Sequence, residues 1–334
     1  MDVSASDAMD TAEGSNGGDT AESSNGGDTA HIFWIDALEK NGSLYVVGKE
    51  PCAQGFRSCC VKVSGLERNV FLLPRVSPAT GERFSALEVH KEFEALAMRQ
   101  GVRAFACKPV ERKYAFELGG VPAAAEYLKV VYGFDQPALR DDLSGATFER
   151  AFGTTYSALE LFLLKRRIMG PCWLRVQGAR SVDRFNRLSW CRSEYTVGNP
   201  KDVLVMDDAA MEQRGLPRVP PLTTVTISLK TVMNHRDRVN EVVAVSLLVH
   251  RDVSLDDGTP AAQRRAEQLT LVRQLTGTPL PGDFARAAQA QGRRGLVIEA
   301  VKTEAALLTA LVAHLQRVDP DVLAAHNFYG FDLD

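Results

Sequence analysis

No stretch of the 334 residues approaches the roughly 18 unbroken apolar residues that a membrane-spanning helix needs. The N-terminus lacks the basic and apolar regions of a secretory signal, an absence that points to the cytosol or nucleus. The six cysteines (Cys52, Cys59, Cys60, Cys107, Cys172, Cys191) include no C-x-x-C pair. No histidine is spaced with a cysteine or another histidine as a structural zinc site requires. Chain length and a reducing compartment argue against a disulfide scaffold, so buried free thiols are expected. With these classes set aside, 45% hydrophobic and 24% charged residues are ordinary globular values. They exclude a wholly disordered or collagen-like chain, and the length suggests about two domains.

Lys and Arg are missing from residues 1–30, which hold seven acids: Asp2, Asp7, Asp10, Glu13, Asp19, Glu22 and Asp28. Without that segment the chain has 39 basic against 35 acidic residues, so the net charge of −3 conceals a basic body. Between Arg150 and Asn240, 15 Lys/Arg face 8 Asp/Glu. The same thirty residues contain a tandem nonapeptide, TAEGSNGGD followed by TAESSNGGD. Gly, Ser, Asn and Asp without aromatics bury too little apolar area to offset chain entropy, so a disordered acidic tail is expected over 1–30. It reads either as an interaction arm or as repeat slippage in a tolerant terminus.

Order is expected from Ile32. IFWIDALEKNGSLYVVGKE reads as strand, Asn-Gly turn, strand. Residues 59–75 continue the β pattern around a Ser64-Gly65 turn. Ser85–Val102 reads as a helix with Val89, Phe93, Leu96 and Ala97 on one face and Gly101 at its end. Strands are expected at RAFACKPV, KYAFEL and Glu126–Phe134. Ser157 and Glu160 have capping-box spacing for a second helix, with Leu159, Phe162 and Leu163 inward and Gly170-Pro171 as its stop. Strands follow at Cys172–Val176 and Leu188–Val197. Three prolines in 213–222 mark a domain boundary. Beyond it come strands at Thr223–Lys230, Glu241–His250, Leu269–Val272 and Leu296–Ala300. A helix capped by Thr303 with Leu308, Leu311, Val312 and Leu315 inward follows, ended by Asp319-Pro320, then a short strand at Val322–Ala325.

FWIDALE (33–39), RNVFLLPR (68–75), KPVERKYAFE (108–117), SALELFLLKRRIMGPCWL (157–174), SLKTVMNHRDRVNEVVAVSLLVH (228–250) and the run from Thr303 to Asp334 together carry a resemblance. The chain resembles the family B replicative DNA polymerases, and within them the alpha subfamily. The resemblance implies an α+β and α/β chain. Residues 31–221 would form the β-rich polymerase N-terminal domain, and 222–334 an incomplete RNase-H-like domain of the 3′–5′ exonuclease type. The family's D-x-x-S-L-Y-P-S and Y-G-D-T-D-S motifs, whose aspartates hold two metal ions, are absent. An N-terminal fragment without polymerase activity or a cofactor of its own is therefore expected, its second domain poorly packed. For the full-length parent the resemblance implies Mg²⁺, DNA template, RNA/DNA primer, primase, an accessory polymerase subunit and a nuclear location, with no membrane partner.

Proofreading relatives hold two metals with carboxylates, because hard divalent ions take oxygen ligands. By this resemblance Leu229 stands where active relatives carry the Asp of Asp-x-Glu, and Thr231 where they carry the Glu. Asn327 and Asp332 match the later Asn-x-x-x-Phe-Asp motif. One carboxylate cannot assemble a two-metal site, so no catalytic or metal-binding residue is expected; Asp332 reads as a helix cap or a solvent-exposed residue in preference to a retained ligand. The remaining candidate is nucleic-acid contact through Lys165, Arg166, Arg167, Arg175, Arg180, Arg184, Arg187 and Arg192, with Trp173, Phe185 and Trp190 interleaved. The plainer reading makes both tryptophans core residues and the cations a solvated face. Two other readings stand beside this one: an active 3′–5′ exonuclease, and a free-standing DNA-binding protein.

Overall fold

In the computed structural model the described residues are 28–114, 118–254, 258–260, 263–275, 278–293 and 295–326. Residues 1–27, which hold the first nonapeptide and all but Asp28 of the second, and the whole of the Asn327–Asp332 motif lie outside them. The described chain divides into two compact units. The first runs to Val47 and resumes at Cys60–Asn186 and Glu194–Asp207; the second comprises Gly48–Cys59, Arg187–Ser193 and the chain from Asp208 on. The division thus falls ahead of the proline-rich 213–222 stretch, and two short segments from earlier in the chain join the second unit.

The elements of the first half are β1 (Asp28–Lys40), β2 (Ser43–Cys52), β3 (Gly55–Val63), β4 (Glu67–Pro74), α1 (Ala86–Arg99), β5 (Ala106–Lys113), β6 (Ala124–Gly133), β7 (Phe148–Phe152) and α2 (Ala158–Arg166). There follow β8 (Trp173–Ser181), β9 (Ser193–Val197), β10 (Val203–Val205) and α3 (Asp208–Gln213). Asp28–Ala30, expected in the tail, already pair with β8, and Ala30 is buried. Strands β1-β2-β3-β9-β8 run in that order and β8 returns to β1, closing a five-stranded ring, with β10 added to β8. Closure depends on a bulge: three residues of β8 (Val176 to Ala179) span two of β1 (Ala30 to Asp28), and Gly178 supplies a φ of 63° there. Inserted between β3 and β8 is a four-stranded sheet, β5-β6-β4-β7, with α1 on one face.

Local chemistry explains the helices. Ser85 with Glu88, and Ser157 with Glu160, form capping boxes at α1 and α2. Helix α1 buries Val89, Phe93 and Ala97 against Val70, Leu72, Val130 and Phe148, and Gly101 follows it at φ 82°. Helix α2 departs from expectation at both its face and its end. It buries Ala158, Leu161 and Phe162, while Leu159 and Leu163 are only half-buried. It stops at Arg166, before Gly170-Pro171, because Arg167 turns left-handed (φ 57°). The Arg167 and Ile168 amides then donate to the Leu164 and Leu163 carbonyls, and Ile168 is buried as the apolar partner of that Schellman stop.

The second unit contains β11 (Leu222–Asn234), β12 (Val239–Val253), β13 (Glu267–Arg273), α4 (Phe284–Gly292), β14 (Leu296–Val301), α5 (Glu304–Val318) and β15 (Val322–Ala325). Its sheet runs β14-β13-β12-β11-β15, antiparallel at the centre and parallel at both outer pairings. The expected loop at 233–240 contracts to the turn between β11 and β12, and α4 was not expected from the sequence. Helix α5 is capped by the Thr303 hydroxyl, which accepts from the Ala306 amide at 3.1 Å. It covers the sheet with Leu307 and Val318, helped by Leu311 and Leu315; Leu308, expected inward, is exposed.

Ion pairs explain why early segments join this unit. The Lys49 ammonium lies 2.7 Å from the Asp321 carboxylate and donates to the Pro221 carbonyl at 2.7 Å. Both side chains are buried, and burial pushes the Asp321 carboxyl above its usual range despite opposing bonds from Lys49 and the Thr223 amide. Ser58 donates to Asp319 through its hydroxyl at 2.6 Å and its amide at 3.0 Å. Removing one member of a buried pair costs about 3–5 kcal/mol, so 48–59 is held by strong local contacts.

The helix face is open to test. Leu307→Ala should lower unfolding free energy by about 2–5 kcal/mol in denaturant melts, and Leu308→Ala by well under about 1 kcal/mol. Equal losses would place the inward face elsewhere.

Candidate functional sites

Strand β11 carries the positions compared with Asp-x-Glu. Side chains alternate along a strand, so Val225, Ile227 and Leu229 share the face toward α5, while Thr226, Ser228 and Lys230 face the other way. Leu229 lies opposite Val245, which is fully buried, and packs against the sheet core together with Val242 and Val301. A bulge follows: Lys230 pairs with Ala244 but Thr231 with Val242.

The polar groups at this end of the sheet bind one another. The Val242 amide donates to Glu304 at 2.5 Å, and its carbonyl accepts from Arg273 Nε at 2.7 Å. Arg273 is 7% exposed and also pairs with Glu241, which accepts from Asn234 Nδ2 at 2.6 Å. The bonds from Asn234 and then Arg273 hold the Glu241 carboxyl below its usual range. Both nearby carboxylates are thus engaged by protein donors, beside a buried guanidinium. Among the described residues no three His, Cys, Asp or Glu side chains converge as a metal site. This set of groups does not fit a divalent cation. Asn327 and Asp332 lie outside the described residues.

The eight basic candidates separate into two groups. Lys165, Arg166, Arg167, Arg175, Arg180 and Arg184 belong to the first unit, Arg187 and Arg192 to the second. The Gly178 bulge puts Arg175 and Arg180 on one exposed face of β8, while Val176 and Ala179 turn inward. Arg192 is structural. Its guanidinium donates to the Gln316 carbonyl at 2.5 Å and the Arg317 carbonyl at 3.3 Å, and lies 3.8 Å from Asp319. It thereby satisfies the C-terminal carbonyls of α5. Arg187 donates to the Arg192 carbonyl at 2.6 Å. The tryptophans also separate. Trp173 is core, edge-on to Phe33 at 5.6 Å, whereas Trp190 and Phe185 are 72% and 94% exposed, and the strand expected from Leu188 begins only at Ser193.

Lys165 and Arg166, in the last turn of α2, border a cavity of about 220 Å³ with Lys201, a residue that sequence reasoning missed. The only hint lay in Asn199-Pro200, whose asparagine caps the short 3-10 turn that carries Lys201. Lys165 donates to the Glu67 carbonyl and Arg166 to the Lys201 carbonyl, each at 3.3 Å. Desolvation pulls the Lys165 ammonium below the usual lysine range; Glu67 opposes this, and Lys129, Arg166 and Lys201 add to it. The residue as a whole is exposed, so the effect concerns the ammonium end alone.

Residues 149–334 match the exonuclease domain of DNA polymerase family B. The chain belongs to that family. It is 37% identical over 316 residues to the DNA polymerase alpha catalytic subunit of Xenopus laevis, covering 90% of this chain and 21% of the relative. The same subunit of Oxytricha trifallax is 34% identical over 316 residues (90% and 20%), and that of Arabidopsis thaliana 33% over 337 residues (90% and 22%). The chain thus spans about a fifth of the length of these relatives. The described residues contain no helix long and apolar enough to cross a membrane.

Two outcomes follow from the site's electrostatics. Glu241 has a lowered carboxyl pKa in the folded state, so its contribution is complete above the ordinary glutamate value and is lost as pH falls below it. Acid titration of stability should therefore be shallower in Glu241→Gln; an identical pH profile would contradict this. Arg192→Gln should cost about 1 kcal/mol by thermal melt, while Arg175→Gln stays within about 0.5 kcal/mol. The reverse order would make Arg175 the structural residue.

Proposed function

We propose that this chain is the N-terminal portion of a replicative DNA polymerase catalytic subunit of the alpha type, in which the exonuclease-like domain is a non-catalytic scaffold. The observation that carries the reading is the packing of the half-buried Leu229 against the sheet core, at the position where a metal-binding carboxylate would be required. Thr231 is a neutral, weak ligand, and Lys230 between them brings the wrong charge for a cation site. The described cations of the first unit, Arg175 and Arg180 among them, support contact with nucleic-acid backbone that does not read sequence. The parent enzyme would extend primase-made primers in the nucleus, using template DNA, deoxynucleotides and Mg²⁺ bound outside this segment, beside an accessory subunit.

The test is degradation of a 3′-labelled single-stranded oligonucleotide by the purified chain with Mg²⁺. No shortening is expected, and Asp332→Ala should behave as the parent does. Metal-dependent shortening that Asp332→Ala abolishes would overturn the reading in favour of an active exonuclease.

A further inference from the structure

The cavity beside α2 has properties that backbone contact alone does not explain. One wall is apolar: Leu66, Phe134 and Phe162 are all at least nine-tenths buried. The Arg68 guanidinium stacks on Phe134 at 4.0 Å and backs that ring. The opposite rim carries Lys165, Arg166 and Lys201. Lys165 and Arg166 donate to main-chain carbonyls, bonds that fix these side chains at the rim without neutralising their charge. Among the described residues, Glu67 is the one acid in the lining. The C-terminus of α2 adds a partial negative charge of about one half, which is small beside three full cations.

We propose that this cavity binds a single phosphate ester. The anion meets Lys165, Arg166 and Lys201, and the planar or apolar group it carries rests against Leu66, Phe134 and Phe162. The volume, about 220 Å³, lies below the roughly 300–1,000 Å³ of drug-sized sites, which suits one nucleotide unit and not two. An anion here relieves the mutual repulsion that, with desolvation, weakens the Lys165 ammonium's hold on its proton. Two sources share this chemistry, one phosphodiester of a single strand and a free nucleoside monophosphate. Only the first depends on the proposed nucleic-acid contact.

The experiment is a low-salt titration of the whole chain with labelled oligothymidylate and, separately, with thymidine monophosphate. It compares the parent with Lys165→Gln/Lys201→Gln and with the remote control Arg140→Gln, circular dichroism confirming the fold. About tenfold weaker binding of either ligand by the double variant, with the control unchanged, is the expected result. Loss for the oligonucleotide identifies a strand; a parent that binds the mononucleotide but not the oligonucleotide identifies a free nucleotide, and then the nucleic-acid reading fails while the cavity stands. If the double variant binds both ligands within twofold of the parent, the cavity assignment is overturned and the nucleic-acid reading survives. Absence of binding by the parent overturns both.

Discussion

Residues two apart on a strand share a face, and on β11 that rule joins Leu229 to Val225 and Ile227. The face they share is the one α5 covers, so this strand's contribution to the core and its metal-binding capacity compete for the same side chains. An aspartate at 229 would place a charge opposite the fully buried Val245, at a cost in desolvation that a bound cation would offset. A leucine there extends the core to the end of the sheet. The surrounding groups follow suit: Arg273 spans Glu241 and the Val242 carbonyl, and Glu304 takes the Val242 amide. The polar groups beside the bulge are met by protein partners.

What was legible in the sequence was chemistry acting over a few residues. Ser85-Glu88, Ser157-Glu160 and Thr303 cap helices because the needed donor or acceptor lies three residues away. Asn41 and Gly42 turn between β1 and β2 with φ of 50° and 71°, as such a pair permits. Misreadings occurred where a distant partner decided. Nothing near Leu307 and Leu308 says which one meets the sheet; the registers of β12 and β13 do. Arg167 ends α2 in a left-handed conformation usually given to glycine, and the burial of Ile168 supports it. Helix α4 draws its apolar side from Phe284 and four alanines and buries none of its residues, so no run of large core residues marks it.

The basic residues show the same limit from the side of function. Eight cations between Lys165 and Arg192 look alike in sequence, yet the fold gives them different work. Arg192 serves the end of α5, Arg175 and Arg180 face outward from a bulged strand, and Lys165 and Arg166 border a cavity with Lys201. The units explain why counting charge misled: the chain leaves the first unit at Asn186 and returns at Glu194, held meanwhile by contacts such as Arg192 with Gln316 and Arg317.

The central claim is that the end of β11 is built as core and not as a cation site. Paramagnetic Mn²⁺ titrated into isotopically labelled chain tests it directly, because the ion broadens amide signals within reach of any site it occupies. The account predicts no selective broadening of Ser228–Val232 relative to the exposed carboxylates elsewhere. Selective loss of those signals at low Mn²⁺, reversed by excess Mg²⁺, would contradict it.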